Sequence, residues 1–197
     1  RYVEDIQEGD LVCTVDRGAQ PVRRALARTV STTSLQSAPW LRPVLIRAPS
    51  MLGAARPFCV SPQHRVLLAA DDGREVLVAA KHLAEHAPTL ARVAHGKRQV
   101  TYVHLLFDRH ELILAEGAAV ESLYLGPMAW RGIARDDQRE ITALFPGLLV
   151  GHMLRGPGHA HRGLVRPLAR RRDLAEMLRN GSFARLGYPR QRERLRA

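Results

Sequence analysis

A chain of 197 residues is long enough for one sizeable core, or for one domain with a small appendage. With 46% hydrophobic and 25% charged residues the composition is that of a folded protein, and no apolar run reaches the ~18 residues of a membrane-spanning helix. The formal net charge of +11 is unevenly placed: acids and bases nearly offset each other from Arg1 to Gly126, whereas Arg166 to Arg196 holds ten arginines against three acids.

Such a basic end can meet nucleic acid by counterion release. It reads better as a solvated, partly flexible end, because only Phe183 and Tyr188 stand among the ten arginines, too few for a base-stacking surface. The start, Arg1-Tyr2-Val3-Glu4-Asp5, has neither an initiator Met nor an apolar signal core, so we expect the chain to begin inside a longer protein. Cys13 and Cys59 both sit among apolar residues and read as small buried hydrophobes, with a disulfide between them left open. Two cysteines cannot form a zinc ribbon.

In chain order, Asp10 to Val15 reads as a strand closing on the turn Asp16-Arg17-Gly18. Pro21 to Ala27 follows, and the polar stretch Thr29 to Ser37 reads as a loop. Val44 to Arg47 and Phe58 to Val60 resume the strand pattern, and Arg65 to Leu68 leaves the turn Ser61-Pro62-Gln63-His64. Asp71-Asp72-Gly73 then makes a hairpin turn to Glu75–Val78, since glycine accepts positive φ cheaply. Ala79 to His86 is a short helix, and Val100–Leu106 and Glu111–Ala115 are strands joined through Phe107–His110. About eight short strands with regular turns indicate a mainly β fold.

After Gly126 the pattern turns helical. Asp136 to Phe145 has helical spacing with acids early and a stop at Pro146-Gly147. Gly156-Pro157-Gly158 is a loop, and Pro167 to Leu178 is a second helix, with Leu168, Leu174, Met177 and Leu178 on one face and a cap at Asn180-Gly181. We therefore divide the chain into a β domain (1–126), a helical extension (127–180) and a basic tail (181–197).

Two clusters could carry chemistry. In the first, Ser61 stands three positions before His64 on a tight turn, so hydroxyl and imidazole can aim at one point, or the serine can cap backbone while the histidine packs. The second is His104, Asp108 and His110, with Glu116 and Glu121 beyond. It could bind a metal, form a His–Asp pair for acid–base work, or, for His104 on its strand, be a hydrogen-bonded core residue. The pair His159 and His161 lies in a Gly/Pro loop and reads as solvated.

Three blocks in order resemble the bacterial members of the Hint family, the autoprocessing fold of inteins and hedgehog C-terminal domains. Val3-Glu4-Asp5-Ile6-Gln7-Glu8-Gly9-Asp10-Leu11-Val12 resembles the stretch "VEDL-x-x-GD-x-V". Ser61-Pro62-Gln63-His64-Arg65-Val66-Leu67-Leu68 is similar to the family's Thr-x-x-His block in its serine form. Tyr102 to His110, continuing through Ala115-Glu116-Gly117 to Glu121-Ser122, is similar to "Y-x-H-L-L-F-D-x-H … A-x-G … E-S".

The resemblance implies a horseshoe of short, largely antiparallel strands that cleaves its own flanking polypeptide through an N-to-S or N-to-O acyl shift. Ser61 and His64 would polarise and protonate the scissile amide, His104, Asp108 and His110 would support them, and a small thiol or water would accept the acyl group. No cofactor is implied. The family's nucleophile, in "C-F-x-x-G-T-x-I", precedes the first block, a position that falls before Arg1 and that neither Cys13 nor Cys59 matches; the chain as given is therefore expected not to process itself. The "H-N" end block of splicing inteins is also missing, so cleavage or acyl transfer is expected rather than complete splicing. The competing readings are a non-catalytic Hint module that binds partners, a nucleic-acid binder using the arginine-rich end, and a metal enzyme at His104, Asp108 and His110.

Overall fold

The computed structural model describes residues 1–144 and 163–179. Among the described residues it is mainly β: eleven strands in three sheets, most paired antiparallel, with five short α-helices and two single-turn 3-10 helices. The chain folds as two compact units. The first takes Arg1–Ala27, Val103–Leu112 and the described residues of Ser122–Val165; the second takes Arg28–Tyr102, Ile113–Glu121 and the described residues of Arg166–Ala197.

In the first unit, β1 (Leu11–Thr14) and β2 (Gly18–Pro21) form a hairpin with Leu11 opposite Pro21 and Thr14 opposite Gly18. Thr14 ties the turn, its hydroxyl donating to the Gly18 carbonyl at 2.9 Å and accepting the Arg17 N–H at 3.1 Å. Beyond it the Val15 N–H reaches the carbonyl of Leu112, the first residue of β10 (Leu112–Ala115), at 2.8 Å. The start of β3 (Arg24–Val30) and the end of β9 (Val100–Leu106) also lie here. Leu106, Leu125 and Ile141 are buried together, with Leu26, Leu123, Trp130 and Ile133 packed against them. Ile141 comes from α4 (Arg135–Leu144), which begins with Asp136 and Asp137 in its first turn; Trp130 comes from α3 (Pro127–Gly132), which the sequence pattern did not reveal. A six-residue helix opening on proline is too short to show a 3.6-residue period.

In the second unit β5 (Phe58–Val60), β4 (Val44–Ile46) and β8 (Ala91–Val93) form one sheet with β4 in the middle. The other runs β10-β11-β6-β7, with β11 spanning Ala118–Glu121, β6 Arg65–Ala69 and β7 Glu75–Ala79. The β6–β7 hairpin closes on Gly73 at φ 83, as Asp-Asp-Gly predicts. Val66, Leu68, Val78, Leu83 of α2 (Ala80–His86), Ala118 and Val120 fill the core between these elements.

Several expectations need correction. The Ser/Thr stretch is not a loop: β3 runs to Val30 and α1 (Thr32–Ser37) follows, because the Ser31 hydroxyl caps the helix by accepting the Ser34 N–H and Leu35 is buried. Strands β8 and β11 were not foreseen, being short and without alternation. The C-terminal helix is α5 (Arg171–Arg179) rather than Pro167–Leu178. Ahead of it, Leu77 and Ala169 exchange a strand-like bond, the Leu77 N–H also reaches the Pro167 carbonyl, and Leu168 is 43% exposed instead of sharing the helix's apolar face. Both cysteines are free, and Cys59 is exposed rather than buried. Phe145, Pro146-Gly147, the Gly156–Gly158 loop, His159, His161, Asn180-Gly181 and the tail from residue 181 lie outside the described residues. No described helix is long and apolar enough to cross a membrane.

The β10–β11 turn sets a strict requirement. Gly117 sits at φ +97, and a Cβ there would stand 2.6 Å from the Gly53 carbonyl oxygen. Left-handed strain and overpacking each cost about 1–3 kcal/mol, so Gly117→Ala is expected to lower unfolding free energy by about 2–6 kcal/mol in a urea titration.

Candidate functional site

Ser61 and His64 lie in the second unit, on the turn between β5 and β6. The His64 N–H donates to the Ser61 carbonyl at 3.0 Å, closing a four-residue turn. Proline at its second position presets φ for this geometry. The turn is fixed from outside by the start of α2: the Ala80 N–H donates to the His64 carbonyl and the Lys81 N–H to the Pro62 carbonyl, both at 2.9 Å. These donors are among those a helix N-terminus leaves without an intrahelical partner, so turn and helix satisfy each other. Both side chains are half-buried, and among the described residues the Ser61 hydroxyl makes no hydrogen bond, so it is not spent on capping backbone.

The next residue is anchored by a buried carboxylate. Glu121, at the end of β11 and 7% exposed, accepts the Arg65 backbone N–H at 2.9 Å and its guanidinium Nη1 at 3.0 Å. In the sequence Glu121 stood with the His104 cluster; in the structure it belongs beside the Ser61–His64 turn. An acid closing the otherwise apolar strand Ala118-Ala119-Val120 was the available signal.

His104, Asp108 and His110 belong to the first unit. His104 is half-buried on β9. Asp108 gives both carboxylate oxygens to the Arg23 guanidinium at 2.8 Å each, and not to either histidine. Arg23 is in turn placed by its own N–H, which donates to the Leu106 carbonyl at 2.7 Å. The Asp108 carboxylate and the Arg23 side chain are both more than 40% exposed (43% and 45%), so the pair orients a loop and adds little stability. His110 is buried; its Nδ1 accepts the Val165 N–H at 3.1 Å, and its ring stands 5.1 Å from that of Tyr124. An Nδ1 that accepts carries no proton, which puts the neutral ring's proton on Nε2.

In the sequence pattern Glu111 marks only the start of a strand. It is 1% exposed, paired with Arg17 at 2.6 Å, and its N–H donates to the Ser122 hydroxyl at 2.9 Å. No group of three or more His, Cys, Asp or Glu that could hold a metal occurs among the described residues.

These positions fall inside one family match: residues 1–127 match the Hint domain. The chain belongs to the Hint domain family. No curated protein matches it. The mainly antiparallel β body agrees with this membership. In this Hint domain the serine-histidine block is a rigid turn held by a helix start and a buried carboxylate, whereas Asp108 answers an arginine.

Proposed function

We propose that this Hint domain is an autoprocessing module that cleaves the polypeptide preceding it through an N-to-S or N-to-O acyl shift. The observation that supports this reading best is the Ser61–His64 turn, a half-buried hydroxyl and imidazole on a backbone held by four hydrogen bonds. A cysteine or serine upstream attacks the carbonyl carbon before it; the C–N bond breaks, and the proton lost from sulfur or oxygen is balanced by the one nitrogen gains. His64 delivers that proton and the Ser61 hydroxyl donates to the scissile carbonyl, because an amine leaves far more readily than an amide anion. A small thiol or water then takes the acyl group. His104, Asp108 and His110 are the further residues this reading assigns a supporting role. The Asp108–Arg23 ion pair favours a structural form of that support over direct proton transfer.

The test is a longer chain that includes the residues preceding Arg1 with a cysteine or serine at the expected position. Incubation with and without a small thiol, read by gel and mass spectrometry, should give a cleaved pair whose formation the thiol accelerates. A chain that stays intact in both arms overturns the reading and leaves the domain as a binding module.

A further inference from the structure

The peptide bond between His64 and Arg65 is gripped at both of its polar groups, and one grip is a side chain to which the proposed reaction assigns no role. Three bonds fix the backbone around His64: its N–H to Ser61, its carbonyl to Ala80, and the Arg65 N–H to Glu121. The first two are backbone to backbone and would form with any side chains. The third depends on Glu121, whose place is set by β11, where Val120 lies opposite Val66 of β6.

A carboxylate here is a costly way to satisfy one N–H. Burying it demands a cation, which Arg65 supplies at 3.0 Å, and apolar residues of similar volume are often as stable as such a pair. In exchange, an N–H bond to an ionised acceptor is shorter and about twice as strong as one to a neutral acceptor. With all three bonds in place the imidazole of His64 can move only about its own side-chain torsions. We propose that Glu121 is the positioning residue of the serine-histidine turn, fixing the direction in which His64 presents its ring. This rests on the acyl-shift reading for its catalytic meaning, and on the hydrogen bonds alone for its structural one.

In the longer chain, Glu121→Ala should slow cleavage about 100-fold, the effect expected when a reacting group is displaced by about 1 Å. In a His64→Ala background the same substitution should change the residual rate by less than about 2-fold, because coupled residues are not additive. Glu121→Gln, which keeps an acceptor oxygen, should restore most of the rate. Equal losses in both backgrounds overturn the proposal, since a merely structural residue would act through any side chain. A second measurement does not need cleavage: in the 197-residue chain, NMR of Glu121→Ala should shift the His64 imidazole resonances and leave those of His95 in place. Unshifted His64 resonances also overturn the proposal, and this arm decides it even where the longer chain fails to cleave. Should Glu121→Ala not fold, Glu121→Asp, which withdraws the carboxylate by one methylene, serves in both measurements.

Discussion

His64→Ala in the longer chain is expected to lower the cleavage rate by about 10²- to 10⁴-fold, the range of a positioned general acid. The variant reports on chemistry because the turn does not depend on the imidazole. The backbone bonds to Ser61, Ala80 and Glu121 persist with alanine at position 64, so circular dichroism and thermal melting should show a folded domain. Ser61→Ala should cost less, about 10²-fold, as for loss of one hydrogen-bond donor to a developing oxyanion. A small thiol should not rescue His64→Ala, since thiol acts after the nitrogen has left. Cleavage of His64→Ala at the parent rate would remove His64 from the reaction, whatever the fold.

How much of this was legible in the sequence differs from element to element. The hairpin at Asp71-Asp72-Gly73 was readable because a residue with forced φ marks it, and Gly73 has that φ. Helix α2 was also readable, to within one residue at its start. The Ser31 cap was not distinguished from a polar loop, because serine serves both and the decision is made by burial of Leu35, a tertiary event. At the candidate site, local chemistry was visible and partnership was not. Ser61 and His64 are three residues apart, and their turn follows from Pro62. Glu121 is 56 residues from Arg65, and Asp108 is 85 from Arg23, so nothing local announces either ion pair. The same limit made Asp108 look like a partner for the histidines near it in sequence, when the fold gives it an arginine.

Leu174→Ala is the expected outcome that bears on where this domain ends. The family match stops at residue 127, yet Leu174 of α5 is fully buried in the core of the second unit with Val66, Val78 and Leu83. Met177 and Leu178, one helical turn further, pack against the same cluster, so α5 presents an apolar stripe at the spacing of one helix face. Two further anchors precede it: the strand-like bonds between Leu77 and the Pro167–Ala169 stretch, and the Arg166–Glu75 ion pair at 2.5 Å. Removing a buried leucine side chain costs its transfer free energy plus the cavity it leaves, about 2–5 kcal/mol. Against the 5–15 kcal/mol of an ordinary domain that is a large fraction of the stability. Urea denaturation of Leu174→Ala should therefore show a midpoint well below the parent's with a similar slope, whereas Leu168→Ala, at a 43% exposed position, should move it little. A chain ending at residue 127 would forfeit the whole stripe and uncover the part of the core it packs against. Parent-like stability of Leu174→Ala would instead make α5 an appendage, and the family boundary and the physical one would then coincide.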